Sequence, residues 1–333
     1  MRMNPVYKRE SMVSARSFRL ALVLMVLNGI LALVALLNMY STLAQVRLTA
    51  EIQYTSFLNL YVFLAVLEFI MVIFIMPALT AGSISGERER RTLELMLTTK
   101  MTPADIVLGK LMASLSTMGL LVISSFPILA MVFVYGGVTM KDIGLLLLCY
   151  TAAAFFVGSL GVCCSTLFKK STFSTVAAYC VMGIIVFGTY GINQFALYIN
   201  QVQADAYLVS VGQSAGHITS GHFLYLLLAN PTTTFAMTLL RLAGRELAGS
   251  REIAWIGNHE LSITHGGWVT ASIIIQLVMA AVFLGVSVWA LTPKKPFRPG
   301  AQERDGAGKG SAGAQEKDGA GKSVAGAQNA GTE

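Results

Sequence analysis

Five consecutive charged side chains, Glu87, Arg88, Glu89, Arg90 and Arg91, stand between two strongly apolar stretches, and Glu94 follows close behind. Mixed charge at this density does not make a nucleophile or a metal cage. Its chemistry is ion pairing and charge-assisted hydrogen bonding, of the kind that seats one protein surface against another. Leu93, Met96 and Leu97 fall at i, i+3 and i+4, so a helix around Glu89–Thr98 would carry one apolar stripe. Gly82, Gly86 and Gly109 flank the segment with points of close approach. A helix that lies along a membrane surface and offers its charged end to a partner fits these residues. A solvated amphipathic loop fits them too, and composition alone leaves both open.

Glu68 carries a different chemistry. It sits near the middle of an apolar stretch, where an ionised carboxylate is costly. That makes it a candidate for a transport path: a water-filled route, a substrate contact or a proton site. A structural role, protonated or hydrogen-bonded to a neighbouring helix, is equally open, and no Lys or Arg lies within the apolar stretches to pair with it. His217, His222, His259 and His265 all fall in one loop without diagnostic spacing, so no metal site is assigned. Gly321-Lys322-Ser323 imitates the end of a phosphate loop, but Glu316 stands where the earlier glycine is needed. No His-Glu-x-x-His or Gly-x-Ser-x-Gly occurs. The chain is therefore expected to have no catalytic residue and to bind no cofactor by itself.

The elements that must position these residues follow from composition. The chain is 55% hydrophobic and 12% charged, with mean hydropathy +0.65, which excludes an ordinary soluble domain. Six apolar runs are each long enough to cross the bilayer as a helix: about 20–39, 57–79, 111–135, 143–168, 173–198 and 268–291. Helices are required because an open sheet edge would leave backbone groups unpaired in lipid. Leu20–Leu37 is too long for a cleaved signal core and reads as an uncleaved first span. Cys149, Cys163, Cys164 and Cys180 all fall inside the spans and read as small buried apolar side chains.

Of the 24 basic residues, 19 lie in Met1–Arg19, Thr80–Lys110, Lys169–Lys170 and the tail from Pro293. The positive-inside rule puts those segments, and both termini, in the cytoplasm of a multi-pass protein of the inner or plasma membrane. Basic charge dispersed over four short segments argues against nucleic-acid binding. Asn4–Arg19 mixes Val6, Met12, Val13 and Phe18 with basic residues, as an interfacial helix would. Thr102-Pro103-Ala104-Asp105 is a helix start, so the third span begins outside the membrane and enters it near Lys110. Thr139-Met140-Lys141-Asp142 supplies a similar start for the fourth span. The short Lys169–Thr172 link makes the fourth and fifth spans antiparallel neighbours.

Ala154, Gly158, Gly161 and Ser165 offer close-packing positions on the fourth span. Trp268 and Trp289 bracket the sixth as an aromatic belt would. Between the fifth and sixth spans, Asn200–Gly267 lies outside the cell. Its apolar Phe223–Ala229, the Asn230-Pro231 break and Phe235–Leu242 suggest a re-entrant hairpin in the outer leaflet, with a small folded external loop as the alternative. Residues 293–333 repeat Ala-Gln-Glu-Arg/Lys-Asp-Gly-Ala-Gly-Lys, have no apolar face, and are expected to be disordered.

The run Ser-Gly-Glu-Arg-Glu-Arg-Arg-Thr-Leu-Glu-Leu-Met-Leu-Thr-Thr, followed by Thr-Pro-Ala-Asp-Ile-Val-Leu-Gly-Lys, resembles the type-2 ATP-binding-cassette (ABC) exporter permease family over residues 1–292. The resemblance implies an all-α integral membrane protein. It would have six transmembrane helices, an amino-terminal interfacial helix, a cytoplasmic coupling helix between spans two and three, and an outer re-entrant hairpin before span six. It implies that Glu87–Thr98 contains the helix that docks into a separate cytosolic ATPase, with Glu87, Arg88, Arg91, Thr92, Leu93, Glu94 and Leu97 as coupling residues. ATP and Mg would be bound by that ATPase, and a second permease chain would complete the unit. Two other classes remain on the residues alone: a membrane scaffold or sensor recruiting a cytosolic partner, and a proton-coupled secondary transporter using Glu68.

Overall fold

The computed structural model describes residues 5–49, 54–93, 96, 101–134, 140–211, 220–242 and 265–292. The chain divides into two units, Met1–Leu291 and Thr292–Glu333, and the described elements belong to the first. The repeat tail lies outside the described residues beyond Thr292. All regular structure among the described residues is helical, which satisfies backbone polar groups where water is absent.

Helix α1 spans Pro5–Ala15, α2 Phe18–Thr49, α3 Tyr54–Thr80, α4 Ser85–Glu89, α5 Pro103–Val134 and α6 Met140–Leu167. Helix α7, Ser171–Gly183, passes through one π turn, Ile184–Gly188, into α8, Thr189–Val211. A 3-10 helix, Gly221–Ala229, precedes α9, Pro231–Leu242, and α10 is His265–Leu291. Six of these are long and apolar enough to cross a membrane: α2, α3, α5, α6, the α7–α8 rod and α10. The protein is thus a multi-pass membrane protein.

Two spans outrun the limits expected from hydropathy. The first helix continues past Met39 to Thr49, and the fifth past Tyr198 to Val211. The added residues, among them Asn200, Gln201, Gln203 and Asp205, lower hydropathy but contain no proline or glycine to stop a helix.

Helix α6 is the hub. It packs most extensively against α10 and α3 and also meets α5, α7 and α9, whereas α2 is the least buried span. Small residues permit the α3–α6 approach. A Cβ at Gly161 would stand 2.0 Å from Thr80 Oγ1, and one at Gly158 would stand 2.5 Å from Met76 Cε and 2.8 Å from Leu111 Cδ1. Ala154 lies in the same core, which an aromatic group fills toward α9. There Phe69 and Phe235 stack at 4.0 Å, with Tyr150 6.3 and 6.0 Å from their centroids.

Two expectations change here. Trp268 is not a belt residue: it is buried against Leu224, Leu227 and Leu228 of the 3-10 helix, while Trp289 is exposed. Cys180 is exposed on α7, unlike the buried Cys149, Cys163 and Cys164. It lies on a helix face that no described element covers. The break at Asn230-Pro231 does hold, and the two helices there meet at 98°.

That corner is a hub in its own right. Asn230 Oδ1 accepts from Thr232 N at 2.9 Å, capping α9 just ahead of Pro231. Its Nδ2 donates to the Val186 carbonyl at 3.1 Å and to Thr189 Oγ1 at 2.8 Å, so the corner is pinned to the π turn. Asn230 thus adds a donor to a carbonyl inside the π turn, one that the Thr189 hydroxyl also reaches at 3.3 Å. Gln276 Nε2 on α10 donates to Thr234 Oγ1 at 2.7 Å and fixes the other side.

Candidate functional site

The charged segment begins where α3 ends. The Thr80 hydroxyl turns back to the Met76 carbonyl at 2.7 Å, and Ser83 Oγ donates to the Thr80 carbonyl at 2.7 Å, closing the turn. The first N–H groups of α4 have no partner in their own short helix. Ser165 on α6 accepts both, from Ile84 N at 2.8 Å and Ser85 N at 2.9 Å. Ser174 on α7 donates to the Ala81 carbonyl at 2.6 Å. Hydroxyls from two neighbouring spans thereby fix the start of α4.

The charged residues of α4 tie it further to α5, through Lys110 to α1, and to the facing ends of α6 and α7. Glu87 Oε1 accepts from Lys110 Nζ on α5 at 2.8 Å, and the same ammonium reaches Glu10 Oε1 on α1 at 3.3 Å. Lys110 is only 4% exposed, so its charge depends on those two carboxylates. Arg88 donates to the Thr166 carbonyl at 3.1 Å and the Phe168 carbonyl at 3.3 Å, at the negative end of α6. Glu89 accepts from Ser171 N at 3.1 Å and Ser171 Oγ at 2.9 Å, capping the positive end of α7. Arg88 and Glu89 each match the helix end they meet.

The helix then stops. Arg90 N reaches the Gly86 carbonyl, Arg91 N reaches the Arg88 carbonyl, and Arg91 adopts φ 57°, left-handed backbone that is uncommon for arginine. The expected helix around Glu89–Thr98 is therefore interrupted at Arg91, and residues 94–95 and 97–98 of it lie outside the described residues. Thr92 Oγ1 donates to the Glu87 carbonyl at 3.2 Å across this corner. Leu93 turns inward and is buried with Ile84, Ile106, Val107, Leu111 and Leu291. Arg90, Arg91 and Thr92 are exposed. Glu94 and Leu97 lie outside the described residues.

On the far side of the segment, Thr102 and Asp105 form the expected reciprocal cap of α5. Asp105 Oδ2 accepts from Thr102 Oγ1 at 2.6 Å, and Asp105 N donates to Thr102 Oγ1 at 3.2 Å. Helix α1 packs on α5, with Tyr7 Oη 3.0 Å from Ser116 Oγ and Ser14 Oγ 3.0 Å from Thr117 Oγ1. Its outer residues Met12 and Val13 are exposed. Between α1 and Arg90–Met96 opens a cleft of about 610 Å³ that includes Arg9, Val13, Arg90 and Met101.

Glu87, Arg88 and Leu93 therefore face the protein, Arg91 and Thr92 face outward, and Glu68 is elsewhere, buried between α3 and α5 against Ser125. Lys110, Glu10, Ser165 and Ser174 were not anticipated as partners of α4. Lys110 had one legible signal: a charge at the mouth of a long apolar run requires a nearby counter-charge. The serines had none, because a buried serine looks the same whether it packs or caps. Among the described residues, no group of His, Cys, Asp and Glu could hold a metal ion. His222 lies exposed on the 3-10 helix and His265 opens α10, whereas His217 and His259 lie outside the described residues.

No curated protein matches the chain significantly. The family profile described as ABC-2 family transporter protein matches residues 19–289, which takes in all six long apolar helices and the α4 junction. On that match, the chain belongs to the ABC-2 family of transporter proteins.

Proposed function

We propose that this chain is the permease half of an ATP-driven exporter, working with a second permease chain and with separate cytosolic ATPase subunits that bind ATP and Mg. The observation that carries the coupling assignment is the division of labour in the charged segment. Glu87, Arg88 and Glu89 bond to α5, α6 and α7, and Lys110 carries the link on to α1, while the adjoining Arg90, Arg91 and Thr92 are exposed and, among the described residues, bond to no other helix. A surface held this firmly from behind can transmit a push.

In this reading the α4 end faces the cytoplasm, both termini with it, and the 3-10/α9 corner dips into the opposite leaflet. Closure of the ATPases moves α4 as one piece with the ends of α5, α6 and α7. ATP shifts the permease between states by the difference in ATPase affinity for each. Glu94 and Leu97 belong to the same docking surface, and Leu93 anchors it. The membrane is the inner or plasma membrane.

The test is purification of the tagged full-length chain from its own membranes, followed by assay of bound ATPase. Arg90→Glu with Arg91→Glu should release the ATPase while the permease still folds. Retention of full ATPase activity by that variant would refute the docking surface. Absence of any ATPase from the wild-type preparation would favour a scaffold, or a carrier driven through Glu68.

A further inference from the structure

The packed interior between α3, α5 and α6 contains Glu68, 4% exposed. From α3 it is faced by Tyr61, from α5 by Ser125 and from α6 by Tyr150, with Cys149 and Asp142 farther along α6. Helix α9 adds Phe235, stacked on Phe69 one residue along from Glu68. Among the described residues the buried cation is Lys110, and it is committed to Glu10 and Glu87 at the α4 end.

Three oxygens lie in sequence here. Ser125 Oγ is hydrogen-bonded to Glu68 Oε1 and stands 2.8 Å from the Val122 carbonyl oxygen. Each contact needs a proton between its oxygens, because bare lone pairs at such distances repel. A serine hydroxyl brings one proton and a carbonyl brings none. If Glu68 is ionised, one proton must serve two contacts. If Glu68 is protonated on Oε1, it donates to Ser125, Ser125 donates to Val122, and both contacts are filled.

The surroundings point the same way. Tyr150 also reaches Glu68 within hydrogen-bonding range, but its single hydroxyl proton goes to the Ala65 carbonyl at 2.8 Å, so none is left for a carboxylate. Glu68 Oε2 is buried without a hydrogen-bond partner. An unpaired oxygen on a neutral acid costs far less than one on a buried carboxylate.

We propose that Glu68 is a proton-binding site: it holds a proton while α3 and α5 are packed together and releases it to water when they part. The carboxyl O–H bond breaks, water accepts the proton, and the carboxylate is solvated by the water that has entered. Helix separation and proton release are then one event seen from two sides. The inference concerns this chain alone and does not rest on the ATPase reading.

Infrared spectroscopy of the full-length chain in lipid nanodiscs, with carbon-13-labelled glutamate, tests it. At neutral pH the chain should show the carbonyl band of a protonated carboxylic acid. The band should shift with the label, vanish in Glu68→Gln, and move without vanishing in Ser125→Ala, which deletes the acceptor of the acid's proton. The Ser125→Ala shift assigns the band even if Glu68→Gln does not fold. Absence of the band from the neutral wild-type spectrum, or indifference of the band to both substitutions, overturns the protonated state. In alkaline titration the band should survive to higher pH in the packed chain than in the chain unfolded by dodecyl sulfate. Coincident titrations would overturn the link between the proton and helix packing.

Discussion

Replacing Gly161 with alanine adds one methyl group at the tightest helix crossing in the protein's described core. The new Cβ would stand 2.0 Å from Thr80 Oγ1, 3.0 Å from Thr80 Cβ and 3.4 Å from Ala81 N. The first distance lies about 1.5 Å inside ordinary contact. Thr80 is a poor candidate to yield, since its β-branched side chain has few rotamers and its hydroxyl is bonded to the Met76 carbonyl at 2.7 Å. If it rotates, that bond is lost and Thr80 Cβ, which rotation does not move, still stands 3.0 Å from the methyl. If α3 and α6 separate instead, the close approach of Gly158 to Met76 opens as well.

Overpacking of this kind costs about 1–3 kcal/mol, against a gain of roughly 1 kcal/mol from replacing a helical glycine. The net expectation is a loss of up to about 2 kcal/mol relative to wild type, a drop of up to roughly thirtyfold in the folding equilibrium. Gly144→Ala on the same helix is the control, because a Cβ there meets nothing within 4 Å, and it should be neutral or stabilising. The assay is unfolding of the purified chain by dodecyl sulfate titration, read by circular dichroism. Thr80→Ala combined with Gly161→Ala should recover part of the loss, since the closest oxygen is gone. If Gly161→Ala were as stable as Gly144→Ala, the reasoning about this crossing would be wrong.

Lys110→Met should strand the Glu10 and Glu87 carboxylates. Because these are 37% and 19% exposed, water offsets part of the loss, and the expected cost in the same titration is about 1–3 kcal/mol; adding Glu87→Gln should restore some of it. Asn230→Ala removes the α9 cap and the donor to Val186 and should cost about 2–3 kcal/mol, whereas Asn230→Asp, which keeps only the cap, should fall between it and wild type. Glu89→Lys sets a positive charge against the positive end of α7 and should lower the melting midpoint by the equivalent of about 1 kcal/mol, with the deficit shrinking in high salt.

The number and order of the long helices were legible because hydropathy reports what a lipid-facing helix must be. Thr102 and Asp105 were legible because a capping box is local. Helix length was not: Asn200–Asp205 looked like a loop, yet nothing in it ends a helix. The corner at Arg91 was hidden because left-handed backbone is announced by glycine, and here the turn falls on arginine, two residues before the buried Leu93. Trp268 illustrates another limit. A tryptophan at a span's end suits a lipid interface and a protein pocket equally, and only the distant 3-10 helix decides. Glu87–Glu89 could be recognised as a place of ion pairing, but not as charges matched to Lys110 and to the ends of α6 and α7, since such pairing depends on which helix ends meet.

The fifth span has a length that the membrane cannot absorb. Its apolar-to-polar helix Ser171–Tyr207 contains 37 residues, about 55 Å of rise, against roughly 30 Å of hydrocarbon. Even at a steep tilt of about 40° it would reach some 42 Å along the bilayer normal. With Ser171 held at the α4 end by Glu89, the surplus must emerge on the other face, carrying exposed Gln201, Gln203 and Asp205. The rod is a mast rooted at the α4 junction, and its tip is a handle clear of the hydrocarbon. A probe attached at Gln201 would report from one side of the membrane on movements imposed at the other.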